Sequence, residues 1–123
     1  MAAPITPAVA LDELLDRLGG RRQLVGQLFA VFEQSAPSWL QELDAACRAG
    51  DAERLRKTAH SAKGALATLA AVPAAELAKS LEDLGKSGDL ANAPAGIARF
   101  SAELERVREA FRSILAENAK PDF

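Results

Sequence analysis

Ile97, Phe100, Leu104, Val107, Phe111 and Ile114 follow one another at spacings of 3, 4, 3, 4 and 3. That alternation places all six on one seam of a helix and does not suit a strand, whose faces alternate every second residue. Such a seam must be covered by other helices, and the rest of the chain offers them. Val9, Leu11, Leu14, Leu15 and Leu18 predict a short helix that ends at Gly19-Gly20 and packs across the end of a bundle. Leu24, Val25, Leu28, Val31 and Phe32 predict a second, from Arg22 to Gln34. Pro37 interrupts that pattern, and Ser35 or Ser38 is placed to cap a helix through Trp39, Leu40, Leu43 and Cys47 that stops at Gly50. Asp51 is expected to cap a helix over 52–71, which Pro73 ends. Leu77, Leu81 and Leu84 mark another at about 74–87, which leaves through Gly88-Asp89. The expected fold is all-α: an antiparallel four-helix bundle with a short additional N-terminal helix. It should occupy 8–118, between a flexible leader at 1–7 and a frayed tail at 119–123.

Composition removes several classes of function. A chain of 123 residues suits one core, and its net charge of −2 leaves no face basic over several turns, against nucleic-acid binding. No apolar run is long enough to span a bilayer and no signal peptide is evident, so the expectation is a cytoplasmic protein with no membrane contact. A single cysteine forbids an internal disulfide and fits a reducing compartment; Cys47, on an apolar stripe, is expected to be buried. One His and one Cys are too few for a zinc site or for cysteine–histidine catalysis. No phosphate-binding loop is present, so neither ATP binding nor autonomous kinase activity is expected.

The one histidine is the sharpest feature. Leu55, Ala59, Ala62, Leu66 and Leu69 form the apolar stripe of its helix. At about 100° per residue, His60 points roughly 140° away from the centre of that stripe, toward solvent. Arg56, Lys57 and Lys63 surround it, and positive neighbours disfavour a further positive charge, which predicts a neutral, nucleophilic imidazole. Lys63, three residues on, is best placed to hold an anion there. Gly64 costs about 1 kcal/mol in a helix interior. Helical side chains lean toward the N-terminus, so position 64 lies over His60 and glycine leaves that space clear; Ala67 on the same face is also small. Glu76, Glu82, Asp83, Glu103, Glu105 and Glu109 read as solvated outer faces.

His60-Ser61-Ala62-Lys63-Gly64, with Ala59 before it and Ala65 after it, resembles the H-x-x-K-G signature of histidine-containing phosphotransfer (HPt) domains. The resemblance runs from about Leu11 to Leu115. It includes Leu18-Gly19-Gly20, the Leu28–Phe32 run, Gly50-Asp51, and Leu81-Glu82 with Gly88-Asp89 after it. The chain departs from the family at Ala70-Ala71, often Gly-Ala, and at Arg21, where an acidic residue is common.

The resemblance implies a phosphorelay intermediate. His60 would accept a phosphoryl group from the aspartyl phosphate of one response-regulator receiver domain and pass it to another. Lys63 would stabilise phosphoryl charge, Gly64 would provide steric clearance, and Arg56, Lys57, Ser61 and Ala67 would contact the partner. The receiver, that of a hybrid sensor histidine kinase being one candidate, would bring its own Mg²⁺, so this chain would need no cofactor and would act as a monomer. The alternative is a helical docking domain that binds a receiver or kinase without phosphotransfer. A purely structural bundle is the third reading. The dimerisation helix of sensor kinases fits less well, because Ser61 rather than an acidic residue follows the histidine and no proline appears before Pro73. A bundle domain of the chemotaxis kinases has a similar histidine motif, but the turns preceding His60 are closer to the phosphorelay type.

Overall fold

The computed structural model describes residues 6–118 of the 123-residue chain, so the tail at 119–123 and most of the leader at 1–7 lie outside it. Five helices follow in order: α1 (Leu11–Arg17), α2 (Val25–Ala49), α3 (Ala52–Thr68), α4 (Val72–Ser87) and α5 (Ala93–Asn118). The last four make the bundle, with α3 against α4 and with α5 against both α2 and α4. Five residues of the α5 seam, Phe100 to Ile114, are buried as expected, and Ile97 is half-buried at its start. Phe111 stacks on Phe29 with centroids 5.4 Å apart and lies 6.1 Å from Phe32, joining α5 to α2.

The expected break at Pro37 is absent, and α2 runs through it as one helix, so neither Ser35 nor Ser38 begins a new one. Proline removes one backbone hydrogen bond, but Pro37 is on the exposed side, where water can serve the carbonyl it leaves unpaired. The start at Arg22 is also corrected: Arg22–Leu24 is a single turn of 3-10 helix, and α2 begins at Val25. Cys47 is half-buried rather than buried.

The helix that carries His60 is fixed at both ends. Gly50, at φ 65°, closes α2 with Asp51 N–H donating to the Ala46 carbonyl at 2.9 Å. The Asp51 carboxylate then accepts from Arg54 N–H at 3.0 Å, the expected N-cap. At the other end α3 stops at Thr68, three residues short of the expected limit, because Ala70 turns left-handed at φ 57° and Ala71 N–H donates back to Leu66 at 2.9 Å. Arg17 of α1 donates to the last carbonyls of α3, Ala67 and Thr68, and Ala10 N–H donates to the Ala70 carbonyl at 2.9 Å. The short N-terminal helix thus binds the exposed end of the histidine helix, where carbonyls lack partners within the helix.

Gly85 sets the approach of α4 to α3. A Cβ there would lie 2.7 Å from Arg56 N and 2.8 Å from Ala52 O, both backbone atoms that cannot move aside. Gly64 is the opposite case, since a Cβ at 64 would meet nothing within 4 Å, the His60 ring included. We therefore expect Gly85→Ala to destabilise the fold by about 1–3 kcal/mol or more. Gly64→Ala should stabilise it by up to about 1 kcal/mol. Urea unfolding of the two variants beside the wild type checks both signs.

Candidate functional site

The exposed face of α3 presents Lys57, His60, Ser61, Gly64 and Ala67 together, so five of the seven residues singled out in the sequence share one open surface. The His60 side chain is 63% exposed, and Lys63, beside it, is 31% exposed. Arg56 is half-buried and pairs with Glu53 on its own helix at 3.0 Å. Two shallow grooves flank this face. One, of about 190 Å³, is lined by Leu28, Val31, Phe32, Ala65, Thr68 and Leu69. The other, of about 290 Å³, includes Lys63, Ala67 and Val72. Val31 and Val72, one at each groove, are the large apolar side chains left exposed among the described residues.

Glu82 is the residue that sequence reasoning misplaced. It does not sit on a solvated face but is 3% exposed, between α3 and α4. Its Oε2 lies 2.6 Å from His60 Nδ1 and its Oε1 lies 2.7 Å from Lys63 Nζ. Glu103 is likewise buried, where Arg106 holds both its oxygens at 2.8 and 3.0 Å. A signal for Glu82 was present. Ala71, Ala74, Ala78, Glu82 and Gly85 are spaced 3, 4, 4 and 3, a stripe of small residues that lets two helices close on each other, with one carboxylate in it. The Leu77, Leu81 and Leu84 pattern drew attention to the neighbouring face instead.

This placement changes the electrostatics expected of the ring. Two of the three cations are engaged with carboxylates, Arg56 with Glu53 and Lys63 with Glu82, and the charged group touching the imidazole is a carboxylate. A buried carboxylate is costly unless paired. Here the hydrogen bonds from Lys63 and then His60 outweigh burial and hold the Glu82 carboxyl down at about 2, from an ordinary 4.5. Glu82 is therefore ionised and can only accept. A nitrogen 2.6 Å from an obligate acceptor must carry the hydrogen, which assigns Nδ1–H to His60. In the neutral ring the lone pair is then on Nε2, the nitrogen farther from the backbone. Among the described residues, no group of three or more His, Cys, Asp or Glu is placed to hold a metal ion, and no helix is long and apolar enough to cross a membrane.

A bundle with one outward imidazole, its orientation set by a buried carboxylate and a lysine beside it, has the arrangement of a group-transfer module. The family comparison agrees: the model of the Hpt domain matches residues 27–110, and the chain belongs to that family. Its role is histidine phosphotransfer in a phosphorelay, where Hpt domains work with response-regulator receiver domains. The chain is also similar to the crystal structure of histidine-containing phosphotransfer protein B (HptB) from Pseudomonas aeruginosa PAO1. The TM-score is 0.81 with 33% identity, over 89% of this chain and 95% of that one. No curated protein sequence matches.

The lowered Glu82 carboxyl has a consequence for folding. A folded-state value of about 2 against an ordinary 4.5 means that its contribution is fully present above pH 4.5 and is lost as pH falls toward 2. The stability gap between wild type and Glu82→Leu should therefore narrow over that interval, as followed by urea unfolding at successive pH values. A gap that stays constant would show that the carboxylate is not held this way.

Proposed function

We propose that His60 is the residue phosphorylated in this relay, accepting a phosphoryl group from a receiver aspartyl phosphate and passing it to the aspartate of another receiver. The observation that carries this reading is the 2.6 Å contact between Glu82 and Nδ1, which leaves Nε2 as an open nucleophile on a 63% exposed ring. Nε2 attacks phosphorus, the P–O bond to the aspartyl carboxylate breaks, and that carboxylate leaves with the electron pair. The phosphorylated ring, still protonated at Nδ1, carries a positive charge beside the Glu82 carboxylate, so the charge that develops is already compensated.

Lys63 supplies positive charge near the transferring group. Its ammonium is anchored by Glu82 at 2.7 Å and stays partly open to solvent, so its other protons can meet phosphoryl oxygens. In this reading the receiver contributes Mg²⁺, which neutralises phosphoryl charge from its own side, and this chain contributes no cofactor site. Gly64 serves the partner rather than the fold. Nothing inside the chain occupies the space beside it, and the helix tolerates a residue that weakens it. Lys57, Ser61 and Ala67, with Val31 and Val72 at the two grooves, make the surface a receiver would cover. Arg56 stands at its edge, already paired with Glu53.

Incubation with a labelled phospho-receiver should give acid-labile, base-stable label on the wild type and none on His60→Gln. Equal labelling of the two would exclude His60, and binding without label would favour a docking domain. Lys63→Ala, which leaves one oxygen of the buried Glu82 carboxylate without its donor, should fold with reduced stability and load at least about tenfold more slowly, the loss expected of one charged contact to the transferring group.

A further inference from the structure

Breaking the P–Nε2 bond of a phosphohistidine leaves the electron pair on Nε2. With Nδ1 protonated the ring departs as neutral imidazole; without that proton it must depart as imidazolate, a much stronger base and a poor leaving group. The proton on Nδ1 therefore governs how readily the phosphoryl group moves on, to a receiver carboxylate or to water. Water attack releases inorganic phosphate and returns the ring with its lone pair on Nε2.

In this chain that proton is held by an acceptor that cannot reverse its role. Glu82 accepts from Lys63 Nζ through Oε1 and faces Nδ1 through Oε2. Lysine only donates, so the Lys63–Glu82–His60 chain of contacts can run in one direction alone, with hydrogen on both nitrogens. The charged groups around it are Lys63, Lys57 and Arg56 from α3 and Lys86 from α4. Arg56 is committed to Glu53, and no second carboxylate bonds the ring among the described residues. The carboxylate itself is buried, so water does not compete for it.

We infer that Glu82 keeps Nδ1 of phosphorylated His60 protonated and so makes the phosphohistidine of this chain a quick-release intermediate rather than a store. Glu82 is here a positioning residue: it acts on the reacting nitrogen through the ring. The inference rests on the reading that His60 is the phosphorylated residue. Replacing Glu82 by glutamine reverses the geometry, because the ammonium of Lys63 claims the amide oxygen and turns the amide NH₂ toward Nδ1. Nδ1 then accepts, and its proton is disfavoured.

The full chain, loaded with phosphoramidate and freed of reagent, is followed for release of inorganic phosphate between about pH 5 and pH 10, the range that brackets imidazole titration. Wild type should remain labile to a pH about one unit higher than Glu82→Gln, a difference of about tenfold in rate between their midpoints. Lys63→Met, which removes the competing cation and leaves the carboxylate on the ring, should move the midpoint the other way. Coincident midpoints for wild type and a cooperatively unfolding Glu82→Gln would overturn the inference and leave His60 as the phosphorylation site. Should Glu82→Gln fail to fold, an unshifted or lowered midpoint in Lys63→Met would overturn it instead. A wild type that takes label from neither phosphoramidate nor a receiver removes both readings together.

Discussion

A carboxylate with almost no access to water, touching a lysine through one oxygen and a histidine through the other, is the interaction on which this site depends. Each part of the surrounding structure is needed for it. Glu82 can be buried only because both oxygens find donors, and it can reach them only because α4 lies unusually close to α3. That closeness comes from Gly85 against the backbone of Ala52 and Arg56, and from the alanines at 74 and 78. The helices run antiparallel, so one turn back from the Gly85 contact on α4 meets the next turns of α3, where His60 and Lys63 stand. A glycine that carries no chemistry thus positions the group that orients the His60 ring.

Gly64 and Gly85 show how fold and function divide the same residue type. One is demanded by packing within the chain; the other has empty space beside it and weakens its helix for no internal gain. Residues kept against the interest of stability are where a partner is expected to bear. Ala70 adds a smaller example at the end of the histidine helix. It adopts the left-handed conformation that glycine accepts freely, at a cost of roughly 1 kcal/mol, while its methyl is buried and its carbonyl holds the N-terminal segment.

The bundle, the α5 seam, the Asp51 cap and the outward direction of His60 were all legible in the sequence, because each rests on local spacing. Pro37 was misread because a sequence shows that a hydrogen bond is lost but not whether water stands ready to replace it. Arg17 reaches the end of α3 across fifty residues of chain, a relation no local pattern encodes. Glu82 was read as a surface charge by its type, although its register within the alanine stripe marked it as inward. The partner of Lys63 escapes a sequence reading for the same reason, since Glu82 reaches it from another helix, whereas Glu53 lies three residues before Arg56 on the same helix. The family comparison secures the phosphotransfer role.

The central claim is that Nδ1 of His60 carries the hydrogen and Nε2 the lone pair. His60 is the only histidine of the chain, so its two ring nitrogens give an unobstructed long-range proton–nitrogen correlation spectrum on uniformly labelled protein at alkaline pH. The account predicts a protonated, pyrrole-like Nδ1 and a bare, pyridine-like Nε2, with the populations moving toward the opposite tautomer in Glu82→Gln. A wild-type ring with its hydrogen on Nε2 would contradict it.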